Sequence, residues 1–336
     1  MSVIDPGFYV WLLPCFAIAL TVTWLALGYA RRRNLLDHPG ERRSHAVATP
    51  RGGGIGIVVA MALAIAWLAL RQPELGSFYL WADLGLILVA GIGWWDDHRP
   101  LSPWLRLCVH AVAAAMLAYA SYQGSGSLPV AVAAFGIAMV LVNIWNFMDG
   151  VDGIAALQAL VVAAAYALLG FNGTRWLCLA LVVAIAGFLP FNLIRARIFM
   201  GDVGSGALGY LLAMLAVMVS ATHGVTSLGE MFPVWCVLLL PPSAFLVDAT
   251  LTLATRMLRG ERWWTPHVEH AYQRWVRRGS SHFGVAAAYC GWAVCGSALA
   301  LVIREWGCGW GAAFIMLTGM GWYLAGIAAW TWLRRT

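Results

Sequence analysis

Four stretches of this sequence carry the residue types that polar chemistry needs, and each lies between long apolar runs. NIWNFMDGVDG (143–153) sets Asn143, Asn146, Asp149 and Asp152 at steps of three. If one helix continued through them, the four side chains would drift slowly round one face and line a single wall. Gly150 and Gly153 argue instead for a break that opens backbone amides to a ligand. GWWDDHRPL (93–101) puts Asp96 and Asp97 side by side, and a helix-end cap accounts for one carboxylate but not for two. FMGDVGSGALG (199–209) places Asp202 in a glycine-rich turn before a new apolar run. Free amides there suit phosphate, and the carboxylate suits a metal. The longest polar loop, 256–282, holds His267 and His270, which on a helix would share a face with Arg274 one turn on. That combination suits a pyrophosphate. A two-histidine zinc site lacks a third ligand at suggestive spacing.

Carboxylates at the edge of a membrane are costly unless hydrated, paired or bound to a cation. Magnesium takes one or two protein oxygens and completes its shell with phosphate and water. Acids and arginines gathered on one face therefore point to phosphoryl transfer at a membrane surface.

The elements that must position these residues are helices. The 336-residue chain is 62% hydrophobic and only 11% charged, against about 25% charged in soluble domains. A hydrocarbon core needs roughly 20 apolar residues per crossing. Candidate spans are 8–30, 53–70, 79–95, 104–120, 128–145, 154–170, 176–193, 206–221, 231–254, 283–302 and 310–333. The expected fold is an all-α, polytopic integral membrane protein of about eleven transmembrane helices. It forms a single transmembrane catalytic domain over 1–336, with 256–282 as a cytoplasmic amphipathic loop closing the site. The first span has no basic n-region and is too long for a signal peptide, so it reads as a signal anchor.

Arginine placement sets the orientation, because cytoplasmic loops are the basic ones. With the N-terminus outside and the C-terminus inside, 18 of the 21 basic residues fall inside, leaving Arg71, Arg175 and Arg304 outside. The net charge of +6 follows from this topology. It suits anionic membrane lipid and anionic substrates, and gives no sign of nucleic acid. The seven cysteines are scattered and lack CxxC spacing, so they read as small apolar residues. Asp248, inside an apolar run, fits a structural ion pair with Arg256 or a lipid-phosphate role equally well. His110 reads as a hydrogen-bonded core residue.

Taken in order, TPRGGGIG (49–56), DDHRPL (96–101), NIWNFMDGVDGIA (143–155), FMGDVGSGALG (199–209) and HVEH (267–270) resemble the motifs of the polyprenyl-phosphate N-acetylhexosamine-1-phosphate transferases, glycosyltransferase family 4. The motif form is most similar to the O-antigen initiating branch. The resemblance implies transfer of an N-acetylhexosamine 1-phosphate from a UDP-sugar to undecaprenyl phosphate, with release of UMP. It implies Mg²⁺, with Mn²⁺ as a substitute, and a multi-pass protein of the bacterial inner membrane with a cytoplasmic site. By the same match, Asp202 is the metal carboxylate with Asn146 beside it. Asp149 and Asp152 line the nucleotide-sugar pocket, Phe199 packs against uracil, and Asp96 and Asp97 lie near the lipid phosphate. His267 and His270 close over the pyrophosphate. Asn143, Arg51, Arg197 and Arg274 join the substrate-binding set, and a homodimer is compatible with the family.

Two other readings compete. A peptidoglycan lipid I-type translocase is disfavoured because TPRGGG lacks the lysine found nearby in that enzyme. A cation-coupled transporter would set its ionisable residues near the midplane on broken, repeated helices, whereas here they crowd one face.

Overall fold

Away from water a backbone must satisfy its own amides, and apolar runs of this length do so as helices. The computed structural model describes residues 6–37, 47–193, 195–225, 227–262, 264–265, 267–306 and 311–335. Arg42 and Arg43, two of the eighteen basic residues expected inside, lie outside the described residues, as do Trp263 of the 256–282 loop and Cys308. The helices are α1 (Leu12–Arg32), α2 (Ile55–Arg71), α3 (Gly76–His98), α4 (Pro103–Ser125), α5 (Leu128–Phe147), α6 (Ile154–Leu169) and α7 (Asn172–Asn192). They continue with α8 (Asp202–Thr222), α9 (Leu228–Leu238), α10 (Ser243–Leu258), α11 (Ala271–Arg277), α12 (His282–Trp306) and α13 (Gly311–Arg335). A two-residue antiparallel ladder pairs β1 (Leu36–Asp37) with β2 (Thr49–Pro50).

Every expected span except 231–254 falls on a single described helix. Among the described residues, eight helices are long and apolar enough to cross a membrane, or nine if α9 and α10 form one span. The stretch 231–254 is not one rod: α9 and α10 meet at a bend of 100°. Pro241 and Pro242 lie at the break, and proline supplies no amide to carry a helix through. α2 and α6 are shorter apolar helices of 17 and 16 residues, about 25 Å at 1.5 Å per residue, and each runs from the end that holds the polar motifs to the opposite one. α6 buries most of its side chains inside the bundle.

α8 is the central post. It is enclosed along its whole apolar stretch, packed against α3, α5 and α6. Close approach at its first turn depends on glycine. A methyl group on Gly54 would overlap the backbone of Gly204, and the reverse holds as well. The GGGIG stretch therefore serves helix packing, and its backbone also pairs with the extended segment leading into α8. Gly53 and Gly54 donate to the carbonyls of Phe199 and Met200, each at 2.9 Å, and Phe199 donates to Pro50 at 2.7 Å. That ladder ties residues 50–54 to residues 199–200.

Chain ends and polar motifs sort by position. The C-terminal ends of α1, α3 and α5 meet the N-terminal ends of α2, α4 and α8, as contacts Tyr29–His98, Arg51–Asp97, Asn146–Ser205 and Arg106–Asp202 establish. At the opposite end, Arg175 and Arg304 flank Phe171 and donate to carbonyls at the end of α6. The acidic motifs thus share one end of the bundle with the described members of the larger arginine set.

Candidate active site

Adjacent carboxylates Asp96 and Asp97 end α3 and point to different tasks. Asp97 is almost fully buried, and its two oxygens accept from the amides of Asp202 (3.1 Å) and Val203 (3.2 Å). It caps the N-terminus of α8, where four amides have no partner within the helix. The Arg51 side chain donates to the Asp97 carbonyl, and its Nε lies 3.9 Å from Oδ1. Gly201 turns the chain into α8 at φ 75, and a side chain there would collide with Asp97 and Gly52. Asp96 instead accepts from the Leu101 amide at 2.6 Å and from Arg106 Nη1 at 2.9 Å. The same Nη1 is 2.8 Å from Oδ2 of Asp202. One guanidinium nitrogen therefore joins the carboxylates that end α3 and begin α8.

Two cavities flank this junction. The first, about 300 Å³, is lined by Asp149, Asp152, Phe199, Asp202, Gln273 and Arg277 among others. Its floor is the break after α5. The helix breaks where Gly150 and Gly153 indicated, so Asn143, Asn146, Asp149 and Asp152 do not share one helical wall: α5 ends at Phe147 and α6 starts at Ile154. Gly153, at φ 73, makes the turn between them. Asn192 at the end of α7 holds that turn: its Oδ1 accepts from Gly153 (3.1 Å) while its Nδ2 donates to Ile198 (3.0 Å). Asp152 accepts from the Ala196 amide at 3.4 Å and lies 3.6 Å from His282. Burial, reinforced by the charges of Asp97 and Asp152, pushes the Asp149 carboxyl up to about 7.

The second cavity, about 540 Å³, is lined by Asp96, Arg106, Asn143, Asn146, His267 and His270 among others. Trp104 and Trp264, both exposed, stand in its wall with rings 5.6 Å apart. Arg51 borders both cavities. Asn146 donates to Ser205 of α8 at 3.1 Å, and Asn143 donates to Met139 one turn back at 2.7 Å. His110, buried, also lines this space, and its Nδ1 has no hydrogen-bond partner.

The 256–282 loop is built differently from a surface helix. Among the described residues of 260–281, helix is confined to α11, and His267 lies before it. The two histidines do not share a helical face, yet their rings lie 4.9 Å apart. The cause is Asp248, which is fully enclosed and accepts from the amides of Ala271 (2.9 Å) and Tyr272 (3.2 Å). It also accepts from Tyr289 (2.6 Å) and Trp330 (3.2 Å), and lies 3.6 Å from His270 Nδ1. A carboxylate fixed at that point starts α11 at Ala271 and hangs His270 over the second cavity. Asp248 makes no pair with Arg256, whose partners are Glu261 and Glu269. Burial, then the neighbouring His270 and Arg256, drops the His267 imidazole to about 4.

Two expected residues are not brought in. Arg197 is exposed over the Phe191 ring at 5.3 Å, and Arg274 lies 3.8 Å from Glu269; neither lines the two cavities. Arg106 and Arg277 stand in the cavity walls and went unnoticed in the sequence. A lone arginine four residues into the apolar helix α4 was a visible signal for Arg106. Asn192 gave none.

The oxygens at the junction suit a hard divalent ion, since two carboxylates already surround one cationic nitrogen. Among the described residues, no three His, Cys, Asp or Glu side chains form a metal-binding group. A bound ion would draw its remaining ligands from phosphate and water, as magnesium does.

Residues 79–220 match the model of "Glycosyl transferase family 4". A decaprenyl-phosphate N-acetylglucosaminephosphotransferase of Mycobacterium leprae is 27% identical, over 79% of this chain and 76% of its own. The enzyme of that name from Mycobacterium tuberculosis (strain ATCC 25618 / H37Rv) is 28% identical, over 79% and 75%. A phospho-N-acetylmuramoyl-pentapeptide-transferase of Lactiplantibacillus plantarum is 28% identical, over 55% and 65%.

Proposed function

We propose that this chain, whose residues 79–220 match glycosyl transferase family 4, moves an N-acetylhexosamine 1-phosphate from a UDP-sugar to undecaprenyl phosphate. The observation that carries this reading is the pair of cavities meeting at Asp96, Asp97, Asp202 and Arg51. A two-substrate transfer needs two pockets whose reacting groups touch at one place. The first, lined by turns, carboxylates and Phe199, suits a nucleotide sugar. The second, walled by helices and two exposed tryptophans, suits a phosphate at the head of a lipid.

An oxygen of the lipid phosphate attacks the β-phosphorus of the donor. The bond from that phosphorus to the bridging oxygen breaks, and UMP leaves with the electron pair. A phosphate monoester is consumed and another is released, so protons balance without a strong general base. Positioning and charge neutralisation then supply most of the acceleration. Asp97 holds the start of α8 so that Asp202 faces the first cavity and meets Arg106, which lines the second. Arg51 offsets phosphate charge at their border. His267 is neutral at pH 7 and offers one N–H, while Asp248 sets where His270 stands. Asp202 and Asp96 would hold Mg²⁺, with Asn146 beside them; the ion would supply electrostatic stabilisation of the transferring phosphoryl group.

Greater coverage by the N-acetylglucosamine enzymes than by the muramoyl-pentapeptide enzyme supports a small N-acetyl sugar donor. O-antigen initiation is the pathway that the motif form favours. The arginine bias supports a cytoplasmic site in the bacterial inner membrane. Purified protein with Mg²⁺, undecaprenyl phosphate and a panel of UDP-N-acetyl sugars should give a lipid-linked product and UMP. Failure with every donor in the panel overturns the proposal. Cysteine labelling of 256–282 from outside the cell would overturn the topology.

A further inference from the structure

Arg106 carries a position that the proposed chemistry has not yet used. It sits in the first turn of α4, and its Nη1 is shared between Asp96 Oδ2 at 2.9 Å and Asp202 Oδ2 at 2.8 Å. Its side chain is 27% exposed and lines the second cavity beside Asn143 and Asn146. Among the described residues, the rest of its guanidinium, Nε and Nη2, makes no hydrogen bond to protein, whereas Arg51 is engaged with Asp97. A guanidinium fork with free donors facing a cavity is built for bidentate contact with phosphate or carboxylate.

Charge decides which anion. Two carboxylates and one guanidinium leave the junction with one net negative charge. A divalent cation on the same two oxygens makes the pair neutral and leaves Arg106 without its counter-ions. An incoming phosphate in the second cavity is then the anion nearest to it. We infer that Arg106 is a further catalytic residue: it holds Asp96 and Asp202 together in the metal-free site and, displaced by the divalent cation, binds the acceptor phosphate. This rests on the proposed cation at Asp202. The cation and the acceptor phosphate are thereby coupled through one side chain, so each should favour the other's binding.

The test uses full-length protein in detergent, with Mn²⁺ binding measured by electron paramagnetic resonance and kinetics measured separately. In Arg106→Gln, Mn²⁺ should bind about tenfold tighter than in wild type without substrates, because a competing positive charge is gone. The acceptor KM should rise by about tenfold or more, with the donor KM within about twofold. In wild type, polyprenyl monophosphate should tighten Mn²⁺ binding by about threefold or more, and Arg106→Gln should lose that coupling. Unchanged or weaker Mn²⁺ binding in Arg106→Gln, with wild-type binding intact, overturns the inference and leaves Arg106 a structural tie. Should Arg106→Gln fail to fold, Arg106→Lys keeps the charge without the fork. Its Mn²⁺ affinity should stay within about twofold and its acceptor KM rise by about threefold or more; an unchanged acceptor KM overturns the inference. Absence of Mn²⁺ binding in wild type, or binding untouched by Asp202→Asn, overturns the cation reading itself and the inference with it.

Discussion

The two cavities share Arg51, and Arg106 joins Asp202 of the first to Asp96 of the second, yet they are made of different material. The first is shaped by turns: the break after α5, the strand-like segment before α8, and the Asn192 side chain that pins both. The second is shaped by helix faces, with α4 and α5 on one side and the 264–270 segment hung from Asp248 on the other. Turns follow their sequence residue by residue, whereas helix faces move as units. Donor choice should therefore respond to point changes in the first cavity. Acceptor handling should depend on how α4, α5 and the loop sit together.

The junction belongs to both cavities, and its loss should cost most. Asp202→Asn is expected to reduce turnover by about 10³-fold or more while the protein stays folded, and chelation of divalent ions should do the same. Normal rates in either case would separate the cavities from a common metal centre. Asp96 and Asp97 should then part company. Asp96→Asn should lower kcat by about 10²-fold with little change in thermal midpoint. Asp97→Ala strips the cap from α8, leaves two amides unpaired, and should lower stability by about 2 kcal/mol or more. Equal thermal midpoints for the two variants would show that the cap is dispensable.

Smaller effects should distinguish the two cavities. His267→Ala is expected to cut turnover by about 10²-fold, the scale of one oriented donor. Phe199→Ala should raise the donor KM by about tenfold and leave the acceptor KM alone. A matching rise in acceptor KM would erase the division of labour. Asp149 offers a pH test. Its carboxyl, raised to about 7 in the folded protein, binds a proton that the unfolded chain releases near pH 4. Folded-state stability is thus lost as pH rises from about 4 to about 7, and the loss is complete above that window. Asp149→Asn should remove this slope, gaining on wild type by roughly 5 °C or less in thermal midpoint at pH 8. Parallel curves would place Asp149 in water.

Much of this arrangement was legible in the sequence because apolar length and polar interruption are local signals. Each helix start and end near the site coincides with a motif, and Gly150 and Gly153 announced the break after α5. What escaped was long-range. Asp97 capping α8 and Asp248 starting α11 are bonds across 105 and 23 residues, and no spacing rule reports them. The shared face drawn for His267 and His270 assumed a helix that Asp248 forbids. The α9–α10 bend was readable from two prolines, but hydrophobicity alone carried the expected span through it.

The central claim is that a sugar phosphate, not a sugar, crosses from one cavity to the other. Donor labelled with ³²P at the β-phosphate, supplied with undecaprenyl phosphate and Mg²⁺, tests it directly. The expected result is label in the lipid product, with unlabelled UMP released in equal amount and no turnover without lipid phosphate. Label recovered in free UDP, with an unlabelled glycolipid, would contradict the account.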